Sequence, residues 1–269
     1  MYLSPQEHRS NLERLRKDLS SKKSCDCIIA DESAKLQVAQ KMPLCHTTSE
    51  KSFPEVIKTG AFLSAKQRGA KSRSADVRLG GTDEICFYLG SAAFPGNEFG
   101  FLFSHLLTDE LSTNASATPF DSGGCMGRYT LPPGSDPIDY VKIHSMPVPE
   151  CRHYLGDLLS SHFVDPTDYL SGQLFTCPGC GKNLADPHGL ADYPHGLVRM
   201  HEVRIPERVD LKFPHLLAVF APQGNVPSYL APLVASGVEL VPYNNQEGAN
   251  RFNALRKASV DFILQQVLN

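Results

Sequence analysis

The 269-residue sequence has no excess of positive charge, no apolar run long enough to cross a membrane, and no internal repeat or low-complexity tract. Each absence removes a class of function. A formal net charge of -3 excludes a global positive field that would hold nucleic acid nonspecifically, so any contact with phosphates must come from a local patch. The opening Met1-Tyr2-Leu3-Ser4-Pro5-Gln6-Glu7 lacks the basic-then-apolar order of a secretory signal, which points to a cytoplasmic protein. Without that signal the eight cysteines are not a disulfide scaffold and are expected to be reduced. Cys45, Cys86, Cys125 and Cys151 stand in apolar or loop context, as small hydrophobes.

What remains is an ordinary globular composition, 41% hydrophobic and 20% charged, long enough for one large domain. Many short strand patterns and a few helical ones, in no steady alternation, predict an α+β fold and not a parallel doubly wound sheet. Ser4, Pro5 and Glu7 form a helix-start signal, and Leu12, Leu15 and Leu19 continue it to about Ser20. Residues 44–48 read as a strand, Ser49 as the cap of a helix over 51–59, Gly60 as its C′ residue and 61–64 as extended. Further strands are expected over 85–89, 128–131, 140–143, 216–220 and 238–242, helices over 154–163 and 227–236, and a long loop over 114–124. Phe252, Leu255, Val260, Ile263, Leu264 and Val267 recur at helical spacing and predict an amphipathic terminal helix.

Chemistry enters where these patterns break. From Gly196 to Leu211 the sequence reads as a strand interrupted by Glu202, a carboxylate where a core side chain is expected. An isolated buried carboxylate costs roughly several kcal/mol, so either Arg199 or Arg204 pairs with it or it acts on a ligand. Lys66, Arg68, Lys71, Arg73 and Arg78 face a single acid, Asp76, as a solvated loop or as a basic loop that meets phosphates. Cys177-Pro178-Gly179-Cys180 has the form of a zinc knuckle, which is half of a structural zinc site. Cys151 with His153, or His188 with His195, are the candidates for the other half, and the spacing selects neither. Cys25 and Cys27 read as structural or solvent-facing.

Leu44-Cys45-His46-Thr47-Thr48, the helix after it and Gly60-Ala61-Phe62-Leu63-Ser64 resemble the opening of ADP-ribosyltransferase domains of the His-Tyr-Glu type, especially the DarT family of toxins. The run from Glu202 to Leu211 resembles that family's catalytic-glutamate strand, and Phe87-Tyr88-Leu89 its middle strand. The resemblance implies an ADP-ribosyltransferase-like split β-sheet core with flanking helices. It places a catalytic domain at about residues 42–243, with a cysteine-containing insert at about 150–195. A helical extension, residues 1–41, precedes that domain, and a helix within 244–269 packs on it.

The activity implied is transfer of ADP-ribose from NAD to a DNA or RNA base, by a bacterial toxin or phage-defence effector with an antitoxin protein as partner. Cleaving the nicotinamide bond leaves an oxocarbenium-like ribose, which calls for a carboxylate near that sugar and little covalent machinery. Glu202 takes that role by resemblance. His46 and Thr48 would hold the adenosine-side ribose, Tyr88 would stack on nicotinamide, Arg73 or Arg78 would pair with the pyrophosphate, and Lys66, Arg68 and Lys71 would meet nucleic acid. A protein mono-ADP-ribosyltransferase and an RNA 2′-phosphotransferase are the enzyme alternatives. A zinc-ribbon nucleic-acid-binding protein is the non-enzyme one, resting on Cys177 and Cys180.

Overall fold

Among the described residues the apolar runs of the sequence become ten strands: β1 (Leu44–Thr48), β2 (Ala61–Phe62), β3 (Ile85–Leu89), β4 (Phe99–Phe103), β5 (Ser116–Thr118), β6 (Met146–Pro147), β7 (Glu202–Ile205), β8 (Val209–Asp210), β9 (Leu216–Pro222) and β10 (Glu239–Tyr243). They are seen in a computed structural model that describes residues 4–22, 32–71, 74–80, 83–94, 96–111, 114–163, 165–172, 177, 180–181, 188, 190, 200–224, 228–244 and 251–268. Eight strands form one sheet in the order β10-β9-β4-β1-β3-β7-β5-β6, and β2 pairs with β8 in a second. Among the described residues only β10 against β9 is parallel, so the large sheet is mixed. Every residue of β4 and β7 is buried, which accounts for the unbroken apolar run Phe99–Phe103.

Helices cover the sheet. At the start of α1 (Pro5–Lys22), Ser4 N–H and Oγ donate to Glu7 while Glu7 N–H donates to Ser4 Oγ, the capping box written in the sequence. Buried Leu15 and Leu19 fix its inner face, and α1 lies against α7 (Val148–His162). Helix α2 (Glu32–Lys41) packs on α7 as well, over Gly156, where an added Cβ would stand 3.0 Å from Leu36. Arg152 of α7 reaches across, its Nη1 donating to the carbonyls of Ala39, Gln40 and Met42 and its Nη2 to Thr108 Oγ1. One guanidinium thus closes the exposed carbonyl end of α2.

Helix α3 (Phe53–Thr59) starts later than the Ser49 cap implies, with Ser52 at the N-cap position but making no side-chain cap, and ends on Gly60 at φ 65° as expected. Short helices α4 (Ser74–Leu79) and α5 (Leu106–Leu111) flank β3 and β4 in sequence. The strand expected over 140–143 is instead part of α6 (Pro137–His144). Asp136 accepts from the N–H groups of Ile138 and Asp139, and Pro137 fills the first helical position, so the cap overrides the β-branched composition. No strand forms over 128–131. The loop expected over 114–124 contains β5 and the start of a 3-10 turn, Ser122–Met126.

Helix α8 (Pro166–Leu170) follows α7, and the helix expected over 227–236 is a short 3-10 turn followed by α9 (Ala231–Ala235). The terminal helix is α10 (Arg251–Phe262), continued by a π turn to Val267. Its Leu255 rests on Gly100 of β4, where a Cβ would come within 3.2 Å of the leucine. Among the described residues no helix is long and apolar enough to cross a membrane. The α+β class read from the sequence is the one the chain adopts.

Candidate functional site

Glu202 opens β7, and the strand pairing decides what surrounds it. It stands opposite Tyr88 of β3 on one side and Thr118 of β5 on the other. Cross-strand partners share a sheet face, so these three side chains emerge together, with Cys86, Arg204 and Ser116 one step along the same face. The 3-10 turn closes over this spot. Ser122 Oγ donates to Glu202 Oε1 at 2.6 Å and Ser122 N–H to Oε2 at 3.2 Å. Arg204 Nε lies 3.8 Å from Oε1, but the same guanidinium stands 3.6 Å from Glu84 and donates to Ser145 Oγ.

Asp121, next to Ser122, is buried as well. It accepts from Arg128 Nη2 and, at 3.3 Å, from the Tyr129 hydroxyl. The Arg128 guanidinium is held over two rings, 5.6 Å from the centre of Phe94 and 5.9 Å from that of Tyr129. Gly124 makes the turn this tight. Its carbonyl accepts from the N–H groups of Gly127, Arg128 and Tyr129, and the Tyr129 ring occupies the space where a Cβ on residue 124 would sit.

The electrostatics follow from burial. Glu202 is 3% exposed, and burial, with Asp121 second, pushes its carboxyl up to about 8 against the opposing pull of Arg204 and the Ser122 hydrogen bond. Burial likewise raises the Tyr88 phenol well above its ordinary range, with Asp121 and Glu202 adding to it. Cys125, in the turn itself, is raised by burial and by the same two acids, so it is a thiol and not a nucleophilic thiolate. A buried carboxyl beside an aromatic ring and a second acid suits a site that meets a developing positive charge or keeps a proton for transfer.

Of the residues expected at the site, Tyr88 and Glu202 are neighbours. His46 and Thr48 are not with them: Cys45 pairs with Tyr88, so the alternation of β1 turns His46 and Thr48 to the opposite face. There the His46 ring packs 4.2 Å from Phe62 and 5.4 Å from Phe87, centre to centre, and its Nδ1 is 2.8 Å from the Cys86 carbonyl oxygen. Arg73 lies outside the described residues. Arg78 is exposed on α4, a helix that packs against the 3-10 turn over Glu202. Lys66, Arg68 and Lys71 are all exposed, and Lys66 pairs with Asp83 at 2.8 Å.

In the knuckle, Cys177 is buried and Cys180 exposed; Cys151 is buried within α7 and His153 is exposed on it. His188 is buried, its Nε2 3.0 Å from the Tyr154 hydroxyl. Among the described residues no group of three or more His, Cys, Asp or Glu side chains is placed to hold a metal ion. His195, Arg199, Cys25 and Cys27 lie outside them.

Asp121, Ser122, Arg128 and Tyr129 were not singled out from the sequence. The available signal was Asp121-Ser122-Gly123-Gly124 inside the long polar loop, a stretch whose length alone marks it as functional or disordered.

Among solved structures, the chain is similar to Thermus sp. 2.9 DarT in complex with NAD+, at 10% identity and a TM-score of 0.43, over 75% of this chain and 95% of that one. It is also similar to Thermus sp. 2.9 DarT in complex with ADP-ribosylated ssDNA, at 9% identity and a TM-score of 0.42, over 74% and 93%. No family model and no curated protein matches the chain.

Proposed function

We propose that the protein is an NAD-dependent ADP-ribosyltransferase whose catalytic carboxylate is Glu202. The observation that carries this reading is the pairing of Tyr88 with Glu202 across two central strands, an aromatic face and a carboxyl side by side in a buried site. A nicotinamide ring stacked on Tyr88 sets its ribose beside Glu202. As the bond from the ribose C1′ to the nicotinamide nitrogen breaks, its electron pair leaves with neutral nicotinamide, and ionised Glu202 stabilises the oxocarbenium left behind. The acceptor then bonds to C1′ and gives up its proton. Glu202 already receives two hydrogen bonds from Ser122, and a ribose hydroxyl is the same kind of donor.

The acceptor is read as a nucleic-acid base, because exposed Lys66, Arg68 and Lys71 precede the α4 helix that packs beside the site. Residues 42–243 then form the catalytic domain, and a toxin or phage-defence effector restrained by an antitoxin protein is the biological role that fits. His46 and Thr48 belong to this reading only if the adenosine half of NAD reaches around β1 to the Phe62 face.

Incubation with labelled NAD and single-stranded DNA, RNA or a protein lysate tests it. Label is expected on nucleic acid and is expected to vanish with Glu202→Ala. Label confined to protein overturns the acceptor, and unconsumed NAD in every mixture overturns the transferase. Replacing Lys66, Arg68 and Lys71 together by alanine should change stability by no more than about 0.5 kcal/mol per site, since all three are exposed. Nucleic-acid affinity should fall and its salt slope flatten by roughly two, while the NAD titration stays put. Arg78→Ala should instead raise the NAD concentration needed, if Arg78 clamps the pyrophosphate.

A further inference from the structure

Arg128 is held in place by part of its guanidinium and leaves the rest uncommitted. Its Nη2 donates to the carboxylate of Asp121, a buried group that also accepts from the Tyr129 hydroxyl. The guanidinium sits over the Phe94 and Tyr129 rings, 5.6 and 5.9 Å from their centres, and the Arg128 N–H is tied to the Gly124 carbonyl at 2.8 Å. The side chain is nevertheless 32% exposed, and among the described residues Nη2 is its one nitrogen with a hydrogen-bond acceptor. A planar, permanently charged donor group is thus fixed in orientation with donors still to be used.

Nothing described covers it. At Gly123 an added Cβ would stand 3.4 Å from Asp121 Oδ1 and 3.6 Å from Arg128 Nη2, in ordinary contact with both. Gly123 is not one of the glycines at positive φ, so the backbone does not call for glycine there; what glycine does is leave the ion pair uncovered. Two helices pack on the same turn. From α6, the Tyr140 and His144 rings lie 5.6 and 5.2 Å from the Phe120 ring, centre to centre, while Asp139 and Lys142 are exposed. On α4, Arg78 is exposed. Among the described residues Asp121 is the one acid paired with Arg128.

The turn links this cation to the carboxyl of the site. Asp121 holds Arg128, and the next residue, Ser122, holds Glu202 through its N–H and hydroxyl. Their Cα atoms are about 3.8 Å apart, so the two anchors are a single residue step from each other. A nucleotide has a matching layout, with its phosphate one methylene beyond the sugar. We infer that Arg128 is a phosphate-binding residue: its guanidinium takes a phosphate of a nucleotide whose sugar sits at Glu202, and Asp121 is the positioning residue behind it. The fork of an arginine matches two phosphate oxygens at once. That phosphate belongs either to the nicotinamide nucleotide of NAD+ or to the backbone of a nucleic-acid acceptor. A sugar at Glu202 rests on the transferase reading proposed above; the exposed, anchored guanidinium does not.

Calorimetric titration of the full chain with nicotinamide riboside, which has no phosphate, and nicotinamide mononucleotide, which has one, reads the contact directly. The parent is expected to prefer the mononucleotide by roughly tenfold or more. Arg128→Gln should erase the preference and leave riboside affinity in place. So should Gly123→Glu, which sets a carboxylate over the guanidinium, with Gly123→Gln as the control for added bulk. Arg128→Lys keeps a cation for Asp121 without the fork and should retain part of the preference. Because Gly123→Glu keeps Arg128 beside Asp121, the test stands even if Arg128→Gln does not fold.

A short single-stranded DNA separates the two sources. If the same variants leave mononucleotide binding as it was and weaken the oligonucleotide about tenfold, the phosphate is the acceptor's. If folded Arg128→Lys and Gly123→Glu match the parent in both titrations, Arg128 only anchors Asp121 and the inference is overturned. It is overturned equally if Arg78→Ala removes the preference and the Arg128 variants do not. A protein that binds neither nicotinamide compound, yet binds inorganic pyrophosphate in the parent and not in Gly123→Glu, keeps the phosphate site and loses the transferase reading. Pyrophosphate binding that ignores both positions, with no nicotinamide compound bound, removes both.

Discussion

Glu202→Gln is expected to lose roughly a hundredfold or more in transfer rate and, at pH 8, to melt at a higher temperature than the parent. The two effects have one cause. A carboxyl raised from 4.5 to about 8 in the folded state holds its proton more tightly than in the unfolded chain. Its contribution to stability is therefore full below about pH 4.5 and is lost as pH climbs through 8. By then the native state carries a penalty on the order of a few kcal/mol that glutamine does not have. Glutamine also fits the existing bonds: its carbonyl accepts from Ser122 N–H, and its amide donates to Ser122 Oγ or to Asp121. It lacks the charge that the proposed transfer sets against the oxocarbenium. Melting curves at pH 5 and pH 8 should diverge for the parent far more than for the variant. Identical pH dependence in the two proteins would show that Glu202 is not held against its ordinary ionisation.

Arg152→Leu is expected to be the most damaging single change away from the site, at about 3–5 kcal/mol. The Arg152 side chain is buried, and its guanidinium is pulled down to about 10 by that burial, so it is still charged at neutral pH. Its value lies in what it satisfies. The carbonyls of Ala39, Gln40 and Met42 stand at the end of α2 and just beyond it, where the helix leaves acceptors without intrahelical partners. Leucine fills part of the volume and strands those acceptors in the interior. Urea unfolding should show a lower midpoint at an unchanged slope, with Arg152→Lys intermediate because one ammonium cannot serve the same spread of carbonyls. A loss below about 1 kcal/mol would mean that water reaches the α2 terminus.

The parts of the fold readable in the sequence are those where local chemistry and burial agree. Residues 44–48, the turn at Gly60 and the strand 85–89 carry continuous apolar or capping signals that nothing tertiary contradicts. Glu202 was visible as a charge inside an apolar strand. At 140–143, Tyr-Val-Lys-Ile reads as a strand by composition, and Asp136-Pro137 decides for a helix. The site was half legible. Tyr88 and Glu202 follow from strand identity, but which face His46 occupies depends on the register of β1 against β3, and no motif encodes register. Asp121, Ser122, Arg128 and Tyr129 gain their roles only when the turn folds over β7, a tertiary event that leaves no periodic trace.

The order of strands has a bearing on how the protein is made. Tyr88 waits beside β1 for a partner strand that begins at Glu202, and Asp121 lies between them in sequence. Closing so large a loop costs chain entropy before any contact rewards it, which makes assembly of this region slow relative to the helices. A chain leaving the ribosome from its N-terminus has synthesised Tyr88 and Asp121 long before β7 emerges. Throughout that interval it has no Glu202, so the buried cluster of Tyr88, Ser122 and Glu202 is complete only once β7 has been made.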